Sequence, residues 1–164
     1  MRRMQHSSHE LEQSGSAIYS VIQSLIDSQQ ALVEIGEKLE DQNLRRFFLT
    51  ESLKRAEFRG ELESVLNQEG VGNLRQSAAK PGCVQRALAD LRFKPHDAGE
   101  HVLLATAEQG EDEARTAYSN AINAHLPVSV RQLLASQASH IAKSHDFVRA
   151  ARERTGAKGS PQAA

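Results

Sequence analysis

The sequence predicts an all-α protein, four long helices packed as a bundle. Three observations carry that expectation. Apolar residues recur three and four positions apart through four long segments, which places them on one face of a helix. Aromatic residues make up 4% of the chain and Trp is absent, so a core must be built from Leu, Ile, Val and Ala. Gly70, Gly72, Pro81, Gly82, Pro95 and Pro127 fall between the segments, where they punctuate them. A chain of 164 residues suits one domain with a sizeable core.

Residues 1–15 read as a flexible polar leader. Helix 1 is expected from about Ser16 to Glu40, on a stripe of Ile18, Ile22, Leu25, Leu32, Gly36 and Leu39, with Gln29 inside it. A short break near Asp41–Asn43 turns the chain back into helix 2, which runs to Glu69 and stops at Gly70. Its stripe is Leu44, Phe47, Phe48, Phe58, Leu62, Val65 and Leu66. At about 100° per residue, Glu51 and Arg55 lie inside that stripe.

The pattern changes over 71–96, a long crossover with one short helix expected over Cys83–Phe93. Helix 3 is expected from Asp97 to Ala124, where Asp97 and Glu100 have the spacing of a capping box. Leu103, Ala107, Ala114 and Tyr118 form its stripe, and Glu111 falls among them. Leu126-Pro127 breaks the chain, and helix 4 follows to about Arg154 on Val130, Leu134, Ile141, Val148 and Ala151, with Gln137 at the centre. The bundle thus spans 16–155, and 156–164 reads as a disordered tail. Two antiparallel helical hairpins joined by one long crossover is the topology of a ferritin-like bundle.

Charged residues are 25% of the chain and the net charge is −1, so no overall field attracts nucleic acid or a membrane surface. No stretch approaches the about 18 apolar residues of a membrane span, and Met1–Ser16 lacks a signal-peptide core. The single cysteine, Cys83, excludes an internal disulfide and a Cys-based metal cluster, and suits a reducing cytoplasm. It sits in the crossover with no acid–base pair anchored to it.

Polar residues in the stripes are the candidates for function. A ferritin-like di-iron centre takes a Glu from each of two helices and Glu-x-x-His from the other two. Here helix 1 offers Gln29, helix 2 Glu51-Ser-Leu-Lys54, helix 3 Glu111 and helix 4 Gln137-Ala-Ser-His140. Only Glu51, Glu111 and His140 are good metal donors, and Lys54 is a cation where an imidazole should stand. The favoured reading has Lys54 or Arg55 neutralising Glu51 and Glu111, with the Gln amides completing the hydrogen bonds and no cofactor required. The alternative is weak iron binding at Glu51, Glu111 and His140. His140 and His145 lie about 140° apart round helix 4, so they cannot share one ion without help from other helices. His145, beside Asp146, could be a pH-sensitive contact. His6, His9, His96, His101 and His125 lie near helix ends or in polar stretches and carry no assigned role. Gly36, Gly60 and Gly110 inside helices suggest close packing.

Glu108-x-Gly110-Glu111-Asp112 followed by Tyr118, Leu126-Pro127, Gln137-x-x-x-Ile141-x-x-x-His145-Asp146 and Val148-Arg149 together resemble a bacterial family of ferritin-like four-helix-bundle proteins of unknown function. Arg55-x-x-Phe58-x-x-Glu61-Leu62 resembles the same family, and the similarity spans about 18–153. The resemblance implies the ferritin-like fold and no activity. The expected function is therefore a non-catalytic bundle, in a stress-associated role, acting through self-association or a protein partner. Weak iron binding is the alternative, and a small-ligand carrier ranks last. Val21, Val33 and Ile35, outside the helix-1 stripe, suggest a surface for a homo-oligomer.

Overall fold

A computed structural model of the chain describes residues 2–69 and 99–158. The expected crossover, its short helix, Cys83 and the tail beyond Lys158 lie outside the described residues. Four helices fill the rest: α1 (Arg2–Lys38), α2 (Gln42–Gln68), α3 (Glu100–Ile122) and α4 (Val128–Lys158). Among the described residues there is no strand, and no helix is long and apolar enough to cross a membrane.

Boundaries differ from expectation at three places, one of them the start of α3, which is Glu100 rather than Asp97. Helix α1 begins at Arg2 rather than near Ser16. Residues 2–13 contain neither Gly nor Pro and include Arg, Met, Gln, Glu and Leu, so polarity there does not oppose a helix. Helix α4 runs past Arg154 to Lys158 and takes Gly156 with it.

The helix ends are tied by side chains. Asp41 caps α2, its carboxylate accepting from the backbone N–H of Asn43 and Leu44 at 2.8 and 3.0 Å. Arg45 donates to the Leu39 carbonyl past the end of α1 at 3.1 and 2.7 Å. The N-cap of α3 is Gly99, which has no side chain to cap with. Glu100 does not close a capping box there, because its carboxylate accepts instead from the N–H of Glu40 and Asp41 at 3.1 and 3.0 Å. It thereby locks α3 to the α1–α2 connection.

The helices form a ring. α1 packs on α2 and α3, α4 packs on α3 and more sparsely on α2, and the pairs α1/α4 and α2/α3 are diagonal. The predicted stripes face the interior: Ile18, Leu25, Leu32, Leu39, Phe48, Leu62, Leu103, Tyr118, Leu134, Ile141 and Val148 are all buried. Each such burial contributes on the order of 1.5–3 kcal/mol. Val21 and Ile35 are buried as well, which removes them as an outward partner surface, while Val33 is half-buried. α1 faces two neighbours, so its buried arc is wider than one stripe.

The apolar interior is divided in two. One core gathers Ile18, Leu25, Phe58, Leu62, Tyr118 and Ile141, among others. The other gathers Leu32, Ile35, Phe48, Leu104 and Val148. Between them, at the level of Ser28, Glu51, Arg55, Glu111 and Ser144, runs a buried polar layer.

Candidate functional site: a buried charge layer

The layer is organised by Arg55, whose side chain is completely buried. From α2 the guanidinium reaches across the bundle to the diagonal helix α3. There Nη2 donates to Glu111 Oε2 at 2.7 Å and Oε1 at 2.9 Å, and also to Ser144 Oγ on α4 at 3.2 Å. Nη1 lies 3.3 Å from Glu51 Oε2, one turn back on α2. Arg55 Nε and Nη1 have no hydrogen-bond partner of good geometry among the described residues. Glu51 is contacted from its other side by His140 Nε2, at 3.0 and 3.1 Å from its two oxygens. The His140 ring stands edge-on to Phe58 at 5.2 Å.

Charge explains the arrangement. Two buried carboxylates side by side would each require a counter-charge, since an unpaired buried ion costs several kcal/mol. A guanidinium is always cationic and presents five donors, so one side chain serves both acids. His140 sets a ring nitrogen against Glu51 at the solvent edge of the layer.

A second polar group lies against Tyr118. Its buried hydroxyl donates to Gln137 Oε1 at 2.8 Å, and Gln137 Nε2 donates to the Phe58 carbonyl and to Glu61 Oε2, both at 3.1 Å. Burial pushes the Tyr118 phenol well above its ordinary range, which keeps it a neutral donor.

The expected site residues thus divide. Glu51, Arg55, Glu111 and His140 come together. Gln137 is buried as expected but bonds Tyr118 rather than the acids. Gln29 is half-buried and takes no part, since it is Ser28 that α1 turns inward. Lys54 does not neutralise Glu51 or Glu111. It faces outward, pairing with Glu57 at 3.0 Å and lying 5.6 Å from the Phe58 ring centre. The next residue, about 100° further round the helix, is the one that points inside. The Glu57 contact raises the Lys54 ammonium pKa above its usual value.

His145 enters a different cluster, as its angular separation from His140 requires. It is buried against α3, with Nε2 at 3.0 Å from Asp112 Oδ1 and 4.0 Å from Glu108 Oε1. Its Nδ1 lies 3.2 Å from Asp146 Oδ1. Glu108, Asp112 and His145 offer ligand atoms within 4.8 Å of one another, a spacing that could hold a divalent ion. Two arginines already occupy the surroundings. Arg152 Nε donates to Glu108 Oε2, and Arg115 Nη1 lies 3.7 Å from Asp112 and 3.4 Å from His145. The two arginines offset the charges of Glu108 and Asp112, and the cluster joins α3 to α4. Glu108 and Asp112 were separable in the sequence only by their i, i+4 spacing, which a solvated face shares.

Fold and site together define an all-helical four-helix protein whose two apolar cores are separated by an arginine-centred charge layer. Residues 13–124 match the family described as Domain of unknown function (DUF2383), and the chain belongs to that family. The matched span holds Glu51, Arg55 and Glu111 and ends before α4. None of the curated proteins matches the chain.

Proposed function

We propose that this chain is a non-catalytic ferritin-like bundle, two helical hairpins joined by the 71–96 crossover, that works by self-association rather than by metal chemistry. The observation that carries this reading is the place of Arg55. A ferritin-like fold implies a di-iron centre between its four helices, and the residues here do not fit one. The guanidinium contacts Glu51 and Glu111, the two carboxylates a metal would need, at 3.3 and 2.7 Å. An always-charged group at that place repels a cation and uses the same oxygens. The third donor, His140, is directed at Glu51. The buried ions then serve to set helix register, a use attested for polar groups inside bundles.

Self-association is supported by the apolar surface that the bundle leaves outside. Leu53 is 71% exposed, and Leu49 lies one turn before it on α2 at 37%. The test has two parts. Protein purified without chelator is analysed for metal and titrated with ferrous iron, and light scattering after size exclusion gives its mass. The expected result is no stoichiometric iron and a concentration-dependent oligomer that Leu53→Glu weakens. Tightly held iron at one or two per chain, or a strict monomer at high concentration, overturns the proposal.

A further inference from the structure

His145 is buried at the α3–α4 contact, and a carboxylate stands at each of its ring nitrogens. Nδ1 lies 3.2 Å from Asp146 Oδ1, and Nε2 lies 3.0 Å from Asp112 Oδ1. A neutral imidazole has one N–H and one lone pair. It satisfies one of these oxygens, and its other nitrogen then turns a lone pair toward an acceptor. A metal ion on Nε2 removes that conflict, with the Nδ1 proton kept on Asp146. A carboxylate behind the ring is also what fixes the tautomer and aim of a ligating histidine.

Two further donors stand where that lone pair points. Glu108 Oε1 is 4.0 Å from Nε2, and ligand atoms of Glu108, Asp112 and His145 all lie within 4.8 Å of one another. Metal bonds of about 2.0–2.2 Å set two tetrahedral ligands about 3.3 Å apart, so small side-chain shifts let the three atoms share one ion. Glu108 and Asp112 are one turn apart on α3, and His145 faces them from α4. The arginines leave these atoms within reach. Arg152 takes Glu108 Oε2, and Oε1 is the oxygen turned toward His145. Arg115 is exposed, and its Nη1 lies 3.7 Å from Asp112 and 3.4 Å from His145 Nδ1, so it competes from the solvent side without closing the site. The Arg55 layer differs, because there the guanidinium is sealed between its two carboxylates. Asp112 is exposed, which gives an ion a way in and leaves room for water as a fourth ligand.

We infer that Glu108, Asp112 and His145 form a binding site for one zinc ion that bridges α3 and α4, with Asp146 holding the ring from behind. Mixed imidazole and carboxylate donors suit zinc, whereas magnesium and calcium take oxygen ligands. The site is separate from the charge layer, since His140 lies about 140° round α4 from His145. It is a structural bridge, and self-association of the bundle does not depend on it.

The test is calorimetric titration of the untagged full chain with zinc chloride near neutral pH, with magnesium chloride as the control. One zinc per chain and no saturable magnesium are expected. Asp146→Asn, which alters only the group behind the ring, should weaken zinc roughly 10–100-fold. Asp112→Asn and His145→Gln, which each remove a ligand, should weaken it more than that. Arg115→Ala should tighten it, by removing the competitor for Asp112. His140→Gln, which takes the imidazole from the charge layer, should leave it unchanged. No saturable zinc, magnesium bound as tightly as zinc, or Asp112→Asn binding like the parent would each overturn the assignment. Zinc lost in His140→Gln but kept in Asp112→Asn would overturn it too, and would count instead against the metal-free reading of the charge layer. Asp112 is exposed, so Asp112→Asn gives a folded protein and decides the matter if His145→Gln does not.

Discussion

Arg55 on α2 donates to Glu111 on the diagonal helix α3 at 2.7 Å, and the whole guanidinium is inaccessible to solvent. Only a long side chain spans that diagonal. The pair crosses the bundle between its two apolar cores, so a register slip of either helix would strand both charges. A buried ion pair of this kind contributes more to specifying one packing than to net stability.

Removing one partner is therefore far worse than removing all. Arg55→Met should lower the unfolding free energy by about 3–5 kcal/mol, because Glu51 and Glu111 are left buried without a counter-charge. Adding Glu51→Gln and Glu111→Gln to Arg55→Met should recover most of that loss. Urea denaturation followed by circular dichroism measures both. A single variant as destabilised as the triple one, or less so, would show that the layer is not electrostatically coupled.

Tyr118 presents a smaller version of the same problem. In Tyr118→Phe, Gln137 Oε1 loses its donor in the interior while the ring packing remains. The expected cost is about 1–2 kcal/mol, the desolvation of one neutral polar atom. Denaturation midpoints with an unchanged urea slope would register it, and a variant as stable as the parent would mean that Gln137 finds another donor.

Much of this was legible in the chain, and the limits have physical causes. Period and stripe are local properties, so the inward positions of Glu51, Arg55, Glu111 and Gln137 followed from counting about 100° per residue. The choice between Lys54 and Arg55 did not follow. Arg55 falls inside the stripe and Lys54 about 100° round from it, but a lysine side chain is long enough to fold back, and what separates them is the rotation of α2 against its neighbours and the length needed to reach α3. The rotation of α1 in turn puts Ser28 inside and leaves Gln29 half-buried. The Glu108, Asp112 and His145 cluster depends on how α3 and α4 are set side by side, which no single-helix pattern encodes.

Asp27 gives a pH-dependent prediction. Burial raises its folded carboxyl pKa above the ordinary 3.8, with the nearby Glu113 charge raising it further. The folded state therefore holds its proton more tightly than the unfolded state does. Stability contributed by Asp27 is fully present below 3.8 and is lost as pH rises through the folded value. Asp27→Asn removes that loss and keeps an oxygen to accept from Gln23. The variant should be more stable than the parent at pH 7 and gain nothing at pH 3. Thermal melts at the two pH values check the sign, and a larger gain at pH 3 would refute it.

Two glycines on helices that pack together should respond in opposite ways. Gly36 is at a true close approach: a Cβ there would lie 3.0 Å from the Phe48 Cβ, a side-chain atom held directly on the opposing helix's Cα that no χ rotation moves away. Gly60, also expected to mark close packing, meets nothing within 4 Å, so its surroundings impose no need for glycine. Gly60→Ala should stabilise by about 1 kcal/mol through helix propensity alone. Gly36→Ala collects the same propensity gain but must push α1 and α2 apart, an overpacking cost of about 1–3 kcal/mol. Its net effect should be neutral to destabilising. Paired urea titrations of the two variants measure the difference, and equal stabilisation of both would mean that the α1–α2 contact at Gly36 yields more easily than its geometry implies.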